Sequence, residues 1–158
     1  MNAKVLTVSD GVAEGVREDR SGAALVEALT VAGYNVVAHE ITADGTDNVA
    51  AALTRLTDGF AGLVVTTGGT GFGPRDLTPE GTRAVIEREA PGIVEAIRRA
   101  SDESGKGFGM LSRAVSGTRG AALIVNLPGS SNGAREGLEI VLQVASHALD
   151  LLAGGRPH

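Results

Sequence analysis

Between Val64 and Glu80 the chain reads VVTTGGTGFGPRDLTPE, and these residue types suit the handling of phosphate. Gly68, Gly69, Gly71 and Gly73 carry no side chains, so successive backbone N–H groups can close around an anion. Thr67 and Thr70 add hydroxyl donors, and Arg75 adds a guanidinium whose planar fork suits phosphate oxygens. No Gly-Lys-Ser/Thr follows, so the stretch is not a P-loop. GGTGFG also lies too far from the helix start near Thr78 to be a dinucleotide fingerprint. On pattern alone two readings stand: a phosphate cradle, or a tight connection from strand to helix.

Asp76 bears on that choice. A carboxylate beside a phosphate cradle is repelled unless a cation lies between them, and Mg²⁺ takes one or two carboxylates together with phosphate oxygens. The competing reading makes Asp76 a cap for the following helix. Asp44, after the second expected strand, offers a second carboxylate or a turn residue. Other chemistries are poorly supplied. His39, His147 and His158 show no metal-ligand spacing, and Ser9, Ser112 and Ser130 have no evident histidine partner. Lys4 begins a strand and Lys106 lies in an expected loop, so neither suggests a lysine base.

These residues must be held by elements. Lys4 to Val8, Tyr34 to Thr42, Leu63 to Thr66 and Ala121 to Asn126 read as strands, the third without alternation, as a strand covered on both faces would be. Helices are expected from Ser21 to Ala32, from Thr46 or Asp47 through Leu56, from Thr78 to about Glu89, from Ile93 to Ser101, and along the final apolar stripe of Leu138, Val141, Leu142, Ala145, Leu149 and Leu152. In Thr78-Pro79-Glu80, threonine can cap, proline suits the first helical position and glutamate complements the helix dipole. Strands alternating with helices predict a three-layer α/β/α sandwich around a largely parallel sheet, a single compact domain. The domain is expected to span residues 1–153, leaving Gly154 to His158 as a loose tail. In such sheets ligands bind at the carboxyl ends of strands, which selects three loops: Ser9-Asp10, Thr67 to Asp76, and Pro128 to Asn132.

Composition narrows the partners. Hydrophobic residues make up 42% and charged residues 21% of the 158, an ordinary globular balance. Glycine is over-used, at 23 residues, where a share of about 7% would give roughly 11. The formal net charge of −5 and only two lysines provide no basic face for nucleic acid. The absence of cysteine removes disulfides, thiolate metal sites and a thiol nucleophile. No apolar stretch approaches the roughly 18 residues of a membrane span, and the expectation is a soluble, cytoplasmic protein.

Thr67-Gly68-Gly69-Thr70-Gly71 followed by Pro74-Arg75-Asp76-Leu77-Thr78-Pro79-Glu80 strongly resembles the core motif of the molybdopterin adenylyltransferases of molybdenum-cofactor biosynthesis, the MogA and MoaB proteins and the corresponding domain of gephyrin. Thr7-Val8-Ser9-Asp10, Asp19-Arg20-Ser21-Gly22, Leu111-Ser112-Arg113 and Asn126-Leu127-Pro128-Gly129-Ser130 agree in order and spacing, so the resemblance covers nearly the whole chain. It implies that AMP is transferred from Mg·ATP to the terminal phosphate of molybdopterin, with release of pyrophosphate. It further implies that Asp44 and Asp76 are catalytic and hold Mg²⁺, and that Gly68, Gly69, Thr70 and Gly71 cradle phosphates. Thr67, Arg75 and Glu80 belong to the same substrate-binding motif, Pro128, Gly129 and Ser130 border the nucleotide, and Ser9, Ser21, Ser112 and Arg113 are candidate pterin contacts. The chain departs from many relatives at Ser130-Ser131, where Asn-Pro or Gln-Pro follows Leu-Pro-Gly. Relatives with other tasks usually carry extra domains, and the length of this chain favours adenylyl transfer. A homo-oligomer is expected, a trimer before a hexamer, with the downstream molybdate-insertion protein as a further partner. The competing reading is a pterin-binding scaffold that keeps the fold without catalysis; a third is a nucleotide hydrolase using the same metal site.

Overall fold

The computed structural model describes residues 1–105 and 108–155. Six strands form one sheet in the order β2-β1-β3-β6-β5-β4. Strands β1 (Asn2–Val8), β2 (Asn35–Thr42), β3 (Gly62–Thr67) and β6 (Ala122–Leu127) run parallel. On the far edge, β5 (Ser116–Arg119) pairs antiparallel with β6, and the two-residue β4 (Arg88–Glu89) pairs antiparallel with β5.

Side-chain alternation along the strands sorts the core into two layers. Val5, Leu63, Val65, Leu123 and Val125 face α2 (Arg20–Val31), α5 (Pro91–Glu103) and α6 (Ser131–Leu152). Leu6, Val64 and Ile124 face α3 (Thr46–Thr57), with Val85 just beyond α4 (Thr78–Arg83). Every residue of β3 and β6 is buried, as strands covered on both faces must be. The result is the expected three-layer sandwich.

Several local expectations are corrected. The helix beginning at Thr78 stops at Arg83, not Glu89, because the chain turns to pair with the sheet: Glu87 N–H donates to the Thr118 carbonyl and Ala90 N–H to that of Ser116. Thr78 is the first helical residue and not its cap; Leu77 occupies the cap position without a side-chain bond. Gly45, not Thr46 or Asp47, caps α3. The Ser9-Asp10 turn extends into a four-residue helix α1 (Asp10–Ala13), capped by the Ser9 hydroxyl, which accepts from Val12 N–H. Within the tail expected to be loose, Gly154 and Gly155 donate to the Leu151 and Asp150 carbonyls at the end of α6. Residues 156–158, and Lys106 with its expected loop role, lie outside the described residues.

Chain order places a switch point in the sheet. From β1 the connection through α2 runs outward to β2, and from β2 through α3 it returns across β1 to β3. The carboxyl ends of β1 and β3 therefore open into a crevice, where such sheets bind ligands.

Candidate active site

A cleft of about 530 Å³ occupies this crevice. Ser9, Ser21, Asp44, Thr67, Gly68, Gly69, Asp76, Gly129 and Ser130 line it, nine of the residues singled out in the sequence. A second cleft of about 650 Å³ adjoins it, lined by Thr70, Gly71, Ser112, Pro128 and, again, Ser130. The glycine loop and the Pro128–Ser131 turn form the ridge between the two, and they approach closely: a Cβ on Gly129 would lie 3.2 Å from the Gly68 Cα.

The glycines are required by backbone shape and by crowding. Gly68 and Gly69 have φ of +99° and +63°, where side chains are costly. A Cβ on Gly68 would collide with the Val8 carbonyl, and one on Gly69 would stand 3.0 Å from Asp44 Oδ1. At Gly71 and Gly73 the obstacle is Asp76, whose Oδ2 would lie 2.9 and 2.8 Å from the added carbon. The amides of Gly69, Thr70 and Gly71 donate no hydrogen bond among the described residues, which leaves them available to an anion.

The loop rests on a buried polar chain. Asn126 Nδ2 donates to Thr66 Oγ1 (3.0 Å) and to Thr82 Oγ1 (2.9 Å), and the Thr82 hydroxyl donates to the Thr78 carbonyl (2.8 Å). The Thr78 hydroxyl in turn donates to the Gly68 carbonyl at 2.9 Å. These groups satisfy one another away from water, which fixes the loop's exit from β3 against α4 and β6.

Asp76 does not cap α4. Its Oδ2 accepts from Gly73 N–H at 2.9 Å within the loop, and its carboxylate faces the cleft. Asp44 reaches the same cleft from the β2–α3 connection. Burial pushes the Asp44 carboxyl above the usual carboxylate range, and the charges of Asp10 and Asp76 push it in the same direction. Two carboxylates on one cleft, with the charge of Asp76 raising the cost of ionising Asp44, suit a divalent cation shared with phosphate. Among the described residues no three His, Cys, Asp or Glu side chains gather to hold a metal by themselves. The pair therefore fits Mg²⁺, which completes its shell from water and phosphate oxygens.

Four predicted substrate contacts have their side chains engaged within the protein. Arg75 forks onto Asp10, with Nε to Oδ2 at 3.0 Å and Nη2 to Oδ1 at 3.1 Å, and lines neither cleft. Arg113 grips Glu80 and donates from Nε to the Gly71 carbonyl (2.8 Å) and from Nη2 to the Asp76 carbonyl. Arg113 and Glu80 therefore brace the loop from outside. Thr67 lines the cleft but spends its hydroxyl on the Pro128 carbonyl at 2.7 Å, tying β3 to the neighbouring turn.

The cleft also holds residues to which the sequence assigned no role in the site. Arg17 and Arg20 line it beside Asp19. Asp19 caps α2 through Gly22 N–H (2.8 Å) and bonds the Thr7 hydroxyl (2.7 Å) and His39 Nε2 (2.8 Å). The Asp19-Arg20-Ser21-Gly22 run was the available signal, since its first residue has the type and position of a helix cap. His39 gave none, because its partners lie 20 and 32 residues away.

Comparison with known proteins agrees with this architecture. Residues 4–147 match the family model described as a probable molybdopterin binding domain. The molybdopterin adenylyltransferase of Helicobacter pylori J99 is 40% identical over 153 residues, covering 95% of this chain and 86% of that protein. A molybdenum cofactor biosynthesis bifunctional protein of Chlorobaculum tepidum is 36% identical over 95% of this chain, which spans 48% of that longer protein. Among solved structures, the molybdopterin biosynthesis enzyme MoaB of Thermus thermophilus superposes with a TM-score of 0.88 at 42% identity, covering 97% of this chain and 96% of that one. The chain belongs to the molybdopterin-binding domain family.

Proposed function

We propose that this protein is a molybdopterin adenylyltransferase: it transfers AMP from ATP to the terminal phosphate of molybdopterin and releases pyrophosphate. The observation that carries the reading is the convergence of Asp44 and Asp76 on one cleft with the glycine loop, whose Gly69 amide is left unbonded there. Relatives named for this activity at about 40% identity over most of the chain support it.

The chemistry suits the residues present. A phosphate oxygen of the pterin attacks the α-phosphorus of ATP, the bond from that phosphorus to the α–β bridging oxygen breaks, and pyrophosphate leaves. The nucleophile is already an anion, so no protein base has to remove a proton, and among the described residues lining the cleft the carboxylates are the candidate bases. The task is to align two anions and offset their charge. Asp44 and Asp76 would hold Mg²⁺, which when bound screens the triphosphate and the charge developing on the leaving group. Gly69 presents an amide donor on the cleft of the two carboxylates, where Arg17 and Arg20 supply side-chain cations, and Thr70 and Gly71 present theirs beside the adjoining cleft. Ser9, Ser21 and Ser130 keep their O–H groups for substrate, since Ser9 and Ser130 only accept, from Val12 N–H and Gly133 N–H.

The scaffold reading is less well supported, because a pure binder has no use for two carboxylates beside a phosphate cradle. Purified protein with ATP and Mg²⁺ should release pyrophosphate only when molybdopterin is added. Release without pterin would favour a hydrolase, and tight pterin binding with no release would favour the scaffold.

The reading extends to a cytoplasmic homotrimer that hands its adenylylated product to a molybdate-inserting protein. The long relative that pairs this domain with a second half supports the hand-over. Exposed Phe72, Phe108, Met110 and Leu111 offer apolar surface for subunit contacts. Light scattering that gave the monomer mass would remove the trimer.

A further inference from the structure

Asp10, Asp44 and Arg75 are joined by five hydrogen bonds that bring together three separate segments. Asp10 N–H donates to Asp44 Oδ2 at 2.8 Å, and Asp44 N–H donates back to Asp10 Oδ1 at 3.0 Å. Arg75 forks onto both oxygens of Asp10, and its Nη2 also donates to the Asp44 carbonyl at 3.0 Å. The end of β1, the connection after β2 and the glycine loop thus meet at one point. Asp44 has no helix or strand to hold it, yet its N–H, its carbonyl and one carboxylate oxygen are all engaged. The remaining oxygen, Oδ1, is the one that points at Gly69, 3.0 Å from where a Cβ would stand.

Charge bookkeeping gives the arrangement a purpose. Asp10 and Arg75 form an ion pair, and among the described residues neither Asp44 nor Asp76 pairs directly with a basic side chain, which suits the two carboxylates to one divalent cation. We infer that Asp10 is a positioning residue, acting with Arg75 as a clasp that aims the Asp44 carboxylate into the cleft beside the glycine loop. Arg75, on this account, serves the site through Asp10 and not by touching phosphate. The inference rests on the proposed metal-nucleotide reading of the cleft. The pair itself is well exposed, with Arg75 at 60% and Asp10 at 37% of side-chain surface. Exposed ion pairs of this kind contribute little to global stability, so the value of the clasp lies in placement.

The test uses Mn²⁺ as a spectroscopic substitute for Mg²⁺, and the full chain in each case. Binding of Mn²⁺·ATP is titrated without pterin, alongside thermal melting and pyrophosphate release with molybdopterin. Asp10→Asn and Arg75→Lys should each weaken Mn²⁺·ATP binding about 10-fold or more, the range found when a partner that orients a metal ligand is removed. The melting temperature should barely move, and KM for molybdopterin should stay within about twofold while kcat falls. Lysine keeps the charge but loses the fork, so an Arg75 that merely attracted phosphate would survive that change. The double variant should be no worse than the more damaged single one, because both remove the same clasp. Wild-type affinity in either single variant, or losses that add, would overturn the inference. A wild-type protein that binds Mn²⁺·ATP but transfers nothing to pterin would overturn the adenylyl-transfer reading and leave the clasp to be judged on the titration. One that does not bind Mn²⁺·ATP would overturn both.

Discussion

Arg113 reaches Glu80, 33 residues away in sequence, and with the same guanidinium holds the carbonyls of Gly71 and Asp76. One side chain thereby spans the two ends of the glycine loop, and Glu80 keeps it in place. The hydrogen bond from Arg113 holds the Glu80 carboxyl below its usual range. A depressed carboxyl contributes stability that is present above the unfolded value, near 4.5, and is lost as pH falls through the lower folded value. Glu80→Gln should therefore flatten the acid side of the stability profile while costing about 1 kcal/mol at neutral pH. Melting curves between pH 3 and 7 would check this.

Gly68 and Gly71 should respond differently to alanine. At Gly68 the positive φ and the Val8 carbonyl both oppose a side chain, so Gly68→Ala should cost about 2–4 kcal/mol of stability. Gly71 has no such backbone demand, and its added carbon meets only the Asp76 carboxylate. Gly71→Ala should leave the melting temperature nearly unchanged but displace Asp76, lowering kcat by about 10²-fold, as small misplacements in a preorganised site do. Parallel denaturation and turnover measurements separate the two.

Asp44 carries a cost that its proposed metal-binding role explains. Burial, reinforced by Asp10 and Asp76, raises its carboxyl, so the ionised form opposes folding once pH rises through the window from its unfolded value, 3.8, to the raised folded one. Asp44→Asn removes the charge and can keep the bond from Asp10 N–H. The variant should melt about 1–3 °C higher at pH 7 and show at least about a 10²-fold loss of pyrophosphate release. A lower melting temperature with full activity would contradict both halves.

Asn126 is the buried anchor of the loop. It bonds Thr66 and Thr82 through Nδ2, and its Oδ1 accepts from Val115 N–H at 3.0 Å. Asn126→Ala should cost about 2–3 kcal/mol because Val115 N–H loses a buried partner, which corresponds to about 4–12 °C in a domain of this size. Chemical denaturation with an unchanged m-value would check it.

How far the sequence revealed this protein depended on whether a residue's meaning was local. Gly68 to Asp76 could be read because glycine and aspartate have backbone and charge consequences wherever they stand, and β3 and β6 because unbroken apolar runs have few other uses. The antiparallel strands could not: Ser116–Arg119 of β5 has no apolar run, and the two-residue β4 at the sheet edge exists only through its pairing with β5. Arg75 looked like a phosphate ligand because its type suits one, and nothing in the sequence reveals that Asp10, 65 residues earlier, holds it first. Thr78 looked like a cap for the same reason, until the fold gave its hydroxyl the Gly68 carbonyl.

Adenylyl transfer is distinguished from hydrolysis and from simple binding by where the α-phosphate of ATP goes. ATP labelled at that position, incubated with the protein, Mg²⁺ and molybdopterin, should pass its label to the pterin as an adenylyl group in one-to-one ratio with pyrophosphate, and Asp76→Asn should stop the transfer while pterin binding persists. Label recovered as free AMP, or remaining in ATP with pterin fully bound, would contradict it.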